Sequence, residues 1–160
     1  MTKKHFLVSV VVVIAVAFVA AAVVYAACPE VMKGIDAAAY KKHKKGLTTF
    51  HHKKHEEEYA KQYPDLYKNG CGECHHDKDG KPLTKLTCDD KVQKCIDCHK
   101  IPGERPKGKK APKLSKKERL AYQAEALHYN CKGCHKKFNK KYKPKKAPTT
   151  CSKCHPKKKK

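Results

Sequence analysis

The chain has 160 residues, with 38 lysines and arginines against 15 aspartates and glutamates, and a formal net charge of +23. Large aliphatic side chains are scarce after residue 27, so the remaining residues cannot bury the apolar area that a domain of this length normally buries. The composition therefore excludes an ordinary side-chain core. It leaves either disorder or an interior filled by something other than side chains.

Residues 1–27 have the pattern of an export segment. Two lysines precede a long apolar run, and residues 24–26 offer a cleavage site. The run exceeds a usual signal core and approaches the length that spans a bilayer. A cleaved signal peptide is favoured over an inner-membrane anchor formed by residues 6–25; lipid attachment at Cys28 is a third alternative, for which Tyr25 is poorly suited. All three predict a location outside the cytoplasm, in the periplasm.

The unit Cys-x-x-Cys-His occurs four times and is the attachment motif of a c-type haem. The two thiols bond to the porphyrin, and the histidine is placed as a ligand of the iron. Zinc sites and disulfides also use paired cysteines, but neither explains a histidine after every second cysteine. The sequence therefore predicts four haem c groups. The covalent sites would be Cys71, Cys74, Cys95, Cys98, Cys131, Cys134, Cys151 and Cys154, and the proximal ligands His75, His99, His135 and His155.

Each iron then needs a sixth ligand, and histidine is the available type. Met32 is the only methionine after the export segment, and it cannot serve four irons. His76 directly follows His75, and neighbouring Cα atoms are only about 3.8 Å apart, so two adjacent residues would serve two neighbouring haems. A cluster of haems would also supply the missing interior. The candidates for the four distal ligands are His43, His51, His52, His55, His76 and His128.

The sequence resembles the tetrahaem class III cytochromes c in three features. These are the spacing Phe50-x-His52-x-x-His55, the segment 71–76, and three further haem motifs with a histidine shortly before the third motif. The resemblance covers about residues 47–156. It implies a small, loop-rich, mostly irregular and helical fold wrapped around four clustered haems, with few short helices and minimal strand. It also implies the distal ligands of the four haems in chain order: His52, His76, His55 and His128.

Four departures from the family pattern accompany this resemblance. The segment between His55 and Cys71 is longer than expected, and all four motifs have two intervening residues. Residues 28–46 have no clear counterpart and are assigned as an N-terminal extension, followed by a tetrahaem domain with a basic tail at 47–160. His51 lies beside His52, and the Phe-x-His-x-x-His spacing favours His52 as the ligand.

Local signals predict a few regular elements. A short strand pair is expected near residues 47–50, and a short helix from His55 to Gln62 before Pro64. The capping box at residues 115–118 predicts a helix from about Lys116 to Tyr129. Cys28 and Cys88 remain, and a disulfide between them, free thiols and lipidation stay open.

The predicted function is electron transfer without substrate chemistry, because two histidines on each iron leave no position for a substrate. The resemblance implies low reduction potentials and a periplasmic carrier between a redox enzyme, such as a hydrogenase, and a membrane or terminal acceptor. The alternative is a multihaem reductase of metal ions or small molecules with one open haem site.

The net charge favours redox protein partners with acidic docking surfaces, and a membrane multihaem complex is a further candidate partner. Lysine clusters often indicate nucleic-acid binding, but export argues against it. Contact with a membrane is expected only if the N-terminal segment is retained.

Overall fold

The computed structural model describes residues 28–144 and 146–157. The expected signal peptide or anchor at 1–27 lies outside these residues, as do the last three lysines of the basic tail. Within the described residues, no helix combines the length and the apolar character that a bilayer span requires.

One antiparallel pair of two-residue strands is the only sheet in the described residues. Met32–Lys33 pairs with Thr49–Phe50, and Met32 lies opposite Phe50. Gly34 follows the first strand at φ 69°, and a Cβ atom there would lie 2.9 Å from that of Ala37. Glycine is therefore required at this turn. The expected strand near residues 47–50 is present, and its partner comes from the N-terminal extension.

The first half of the chain contributes short helical turns. A 3-10 turn spans Ala37–Ala39, a π-helical segment Lys54–Tyr59 continues into the α-helical turn Ala60–Gln62, and a second 3-10 turn spans Pro64–Leu66. The helix predicted for residues 55–62 is confirmed. Glu56 and Glu57 lie in the first turn, where they complement the positive end of the helix dipole.

Each of the four Cys-x-x-Cys-His units lies in or beside a helical turn. Such a turn brings the two cysteines close together and directs the following histidine out of it. The elements that carry the motifs are the 3-10 turn Gly70–Glu73, the α-helical turns Cys95–Cys98 and Cys151–Cys154, and the π-helical segment His128–Lys132 with the helix Gly133–Lys141.

The predicted continuous helix from 116 to 129 is wrong. Its start is correct, because the Ser115 hydroxyl accepts from the Glu118 amide at 3.3 Å and the Glu118 carboxylate accepts from the Ser115 amide at 2.7 Å. The helix Lys116–Leu120 then stops, and a new helix begins at Gln123–Leu127. The break occurs because the segment at Ile101 pairs with the residues between the two helices. The Ile101 amide donates to the Ala121 carbonyl, and the Gln123 amide donates to the Ile101 carbonyl.

The described residues contain no buried hydrophobic side chain. The largest fully buried side chain among them is a polar one, Gln123. The small, loop-rich fold with few short helices and one minimal sheet is the fold predicted from the sequence. In the described part of the chain, apolar side chains do not form an interior of their own, and another apolar body is needed to order it.

Candidate functional site

Four pairs of imidazole rings are brought together by the fold. Each pair joins the histidine of one Cys-x-x-Cys-His unit to a histidine from elsewhere in the chain, in the combination expected from the family resemblance. The distances between ring centres are 6.2 Å for His52–His75, 5.9 Å for His76–His99, 6.2 Å for His55–His135 and 6.3 Å for His128–His155.

This spacing fits a metal ion between the two rings of each pair. With metal–nitrogen bonds of about 2.0 Å on both sides and about 1.1 Å from each nitrogen to its ring centre, the centres would lie about 6 Å apart. A ring can rotate about its metal–nitrogen bond without changing this distance, so the range of interplanar angles, 27° to 89°, is compatible with the same ligation. The residues present therefore fit a bis-histidine haem iron in four places.

Hydrogen bonds orient the proximal rings. The Nδ1 atoms of His99, His135 and His155 lie within hydrogen-bonding distance of the carbonyl oxygens of Leu120, Pro148 and Gly46. A ring that donates through Nδ1 to a carbonyl presents Nε2 as its free lone pair, which is the usual arrangement at metal-binding histidines.

Two of the distal rings are oriented in the same way. His55 Nδ1 lies 2.9 Å from the carbonyl of His51, and His76 Nδ1 lies 2.7 Å from that of Asp77. His51 itself belongs to none of the four pairs, so its backbone rather than its ring supports the site. His52 Nδ1 is buried without a hydrogen-bond partner.

Partial burial lowers the pKa of several of these rings. It lowers the pKa of His75, with the neighbouring His52 adding to the effect, and it lowers the pKa of His55 and His128. A histidine must be neutral to bind a metal, so this environment favours ligation.

The motif thiols are not arranged as a zinc site. Burial raises the pKa of the Cys74 thiol to about 12, and it also raises the pKa of Cys95, Cys131 and Cys134. Within the described residues, the cysteines and histidines of the four motifs also do not converge on a tetrahedral set of ligands.

Cys28 and Cys88 form a disulfide, with their Cα atoms 4.8 Å apart. The sequence left this pairing open. The bond ties the start of the described chain to the loop between the first and second motifs, beside Glu56, whose carboxylate oxygens lie 3.1 and 3.2 Å from Cys88 Sγ. A sulfur atom engaged in this bond is not available for lipidation.

The N-terminal extension also contributes to the site, which the sequence did not predict. Gly46 accepts from His155 through its carbonyl and donates its own amide to the Pro156 carbonyl at 3.1 Å. A Cβ atom at position 46 would lie 2.4 Å from the Pro156 oxygen, so only glycine allows this approach. No local signal marks Gly46, because its partner lies 109 positions away.

A second contribution of the extension reaches the second motif. The Asp36 carboxylate accepts from the amide of Ile96, within the helical turn Cys95–Cys98, at 3.0 Å, and from the Gln123 side chain at 2.9 Å. The Tyr40 hydroxyl donates to the Gln123 side-chain oxygen. This network joins the extension, the second motif and the helix Gln123–Leu127.

Paired imidazoles at metal-binding distance beside haem-attachment motifs define a multihaem cytochrome. The family model of the class III cytochromes c matches residues 29–155, so the chain belongs to that family. It is a multihaem electron-transfer protein that carries haem c. The match includes residues 29–46, which are most of the N-terminal extension for which the motifs indicated no counterpart in the family. No curated protein and no solved structure matches the chain.

Proposed function

We propose that the chain holds four haem c groups, each with two histidine ligands, and acts as a low-potential electron carrier in the periplasm. The observation that carries the proposal is the set of four imidazole pairs, each at a separation that fits an intervening iron. Haem c supplies a one-electron couple between ferric and ferrous iron. The distal ligands would be His52, His76, His55 and His128, for the first to fourth haem.

The chain holds three of the four pairs close to one another. His75 and His76 are adjacent in sequence yet belong to different pairs, which links the first site to the second. His52 and His55 are three residues apart and link the first site to the third. Rapid exchange of electrons between centres requires this proximity.

The hydrogen bonds at Nδ1 support low reduction potentials. A carbonyl that accepts from Nδ1 increases the electron donation of Nε2, which stabilises the ferric state. Two imidazoles on one iron act in the same direction, whereas a methionine ligand would raise the potential.

The proposal is tested first by the number and ligation of the haems. Purified holoprotein should contain four covalent haems by mass spectrometry and pyridine haemochrome, all low-spin in the ferric state. The reduced protein should bind no carbon monoxide. Fewer than four haems would contradict the proposal, and carbon monoxide binding by the unmodified protein would favour a reductase with an open site.

A matched pair of variants tests the ligand assignment. His52→Ala should convert one haem of four to a high-spin form that binds carbon monoxide, because a proposed iron ligand is lost. His51→Ala should leave all four haems low-spin, because the His51 carbonyl that faces His55 is retained. The opposite pattern would show that His51 is the ligand.

We propose acidic redox proteins as partners, with a membrane multihaem complex as one candidate acceptor. The support is the net charge of +23 together with the membership in an electron-transfer family. Electrostatic steering between opposite charges raises association rates and is screened by salt. The rate at which an acidic donor reduces the protein should therefore fall steeply as ionic strength rises, and a rate independent of salt would contradict the proposal.

A further inference from the structure

Residues 101–115 form a loop that, together with the helix Lys116–Leu120, lines an open surface cavity of about 420 Å³. None of the lining residues is acidic, and those that are not cationic are small or apolar. None of them is a haem attachment residue or a proposed iron ligand. Its cationic side chains are Arg105, Lys107, Lys113 and Arg119.

Arg105 and Arg119 are the only arginines in the sequence, and both line this one cavity. A guanidinium group presents a planar fork of N–H donors that can bind two oxygens of one oxyanion, whereas an ammonium group is a point charge. Lysine meets the need for positive charge everywhere else in the chain. Arginine at these two positions would therefore suit an oxyanion better than lysine would.

Arg105 has a donor available for such a ligand. Its Nε atom is buried and has no hydrogen-bond partner. The nearest carboxylate oxygen, on Glu125, lies 3.9 Å away, which is beyond the length of a hydrogen bond. A buried donor without an acceptor is unfavourable, and a turn of the Arg105 side chain toward an oxygen bound in the cavity would satisfy it.

Two of the four cations have an acidic side chain nearby, Glu125 beside Arg105 and Glu104 beside Lys107, and the other two leave the cavity with a net positive charge. Glu104 pairs with Lys107 at 2.7 Å. Within the described residues, neither Lys113 nor Arg119 forms an ion pair with an acidic side chain. The repulsion among these side chains would be relieved by a bound anion of more than one charge.

We propose that this cavity binds a small oxyanion of the phosphate or sulfate class, either free or as the phosphate group of a larger molecule. The two guanidinium groups hold its oxygens, and Lys113 adds a further charge. The volume lies in the range of small-molecule sites and leaves room for an organic substituent on the phosphate. The inference does not depend on the ligation of the haems.

Calorimetric titration of the full-length holoprotein with inorganic phosphate, at constant ionic strength, tests the site. The double variant Arg105→Lys/Arg119→Lys retains the charge and loses both forks, and we expect its affinity to fall by about tenfold or more. Lys109→Gln removes one charge from the same loop outside the cavity, and its affinity should change by less than about twofold. Equal binding by wild type and double variant would overturn the proposal.

A second measurement needs no variant. Because the sequence has two arginines, selective ¹⁵N-arginine labelling of the reduced holoprotein gives only two Nε–H resonances. Phosphate should shift the Arg105 resonance in a saturable manner, and the absence of a shift would overturn the proposal. Titration with glycerol phosphate distinguishes the source of the ligand: tighter binding than inorganic phosphate indicates an organic phosphate such as a lipid headgroup, and equal or weaker binding indicates the free anion.

Discussion

Two regions of the molecule stabilise the same haem-motif architecture with different chemistry. In the aromatic region, formed by Tyr63, Phe138 and Tyr142, three rings pack with centres 4.8 to 5.4 Å apart beside the third motif. In the polar region, formed by Asp36, Tyr40 and Gln123, a fully buried amide is held between a carboxylate and a hydroxyl beside the second motif.

The difference shows two ways to order a chain whose described residues bury no hydrophobic side chain. Each aromatic contact contributes a modest stabilisation and tolerates rearrangement, so the loss of one ring removes only the stabilisation from that ring's own contacts. A buried hydrogen-bond network depends on every member, because each lost partner leaves another polar group unsatisfied. We therefore expect the polar region to be the more sensitive to substitution.

Gln123→Leu should have the largest effect. The substitution keeps the approximate volume but leaves the Tyr40 hydroxyl without its acceptor and the Asp36 carboxylate without one donor, which should lower the free energy of unfolding by about 3 kcal/mol. Guanidinium denaturation of the holoprotein measures it. Gln93→Leu, at an exposed position, is the control and should cost less than about 0.5 kcal/mol. Similar costs at the two positions would remove the basis of the comparison.

Phe138→Ala should have an intermediate effect. The half-buried ring contacts both Tyr63 and Tyr142, and its removal should lower the free energy of unfolding by about 2 kcal/mol. The same denaturation experiment applies, with Tyr129→Ala as the control because that ring is 61% exposed. A cost above that of Gln123→Leu would reverse the proposed order of the two regions.

Asp65→Asn should have the smallest effect at neutral pH and a distinct pH dependence. Lys141 and the Tyr142 hydroxyl, in that order, hold the pKa of the Asp65 carboxyl below its usual range. Because the folded pKa is lower than the unfolded one, the ion pair stabilises the protein above the unfolded pKa, near 4, and this contribution is lost as pH falls through the folded pKa.

Thermal unfolding between pH 2 and pH 6 measures this effect. The Asp65→Asn variant should lose less stability on acidification than the wild type does. Asp79→Asn is the matched control, since the Asp79 carboxylate makes no ion pair within the described residues. If the two variants show the same acid profile, the link between Asp65 and the aromatic region is wrong.

Much of the site follows from the sequence because its chemistry is local. A Cys-x-x-Cys-His unit is complete within five residues, and a capping box within four, so both can be read without knowing the fold. The absence of a side-chain core follows from composition alone. The order of the distal histidines came from the family resemblance, and the structure brings together the same four pairs.

Other features were decided only by the tertiary structure. The break between Leu120 and Gln123 arises from the segment at Ile101, and the supports from Asp36 and Gly46 join residues separated by 60 and 109 positions. Asp36 also adopts a left-handed φ of 52°, which its short polar side chain tolerates. Sequence patterns determine which residues can bind a haem, because that depends on neighbours in the chain. The backbone groups that orient these residues are determined by contacts between distant segments, and no periodic pattern in the sequence marks such contacts.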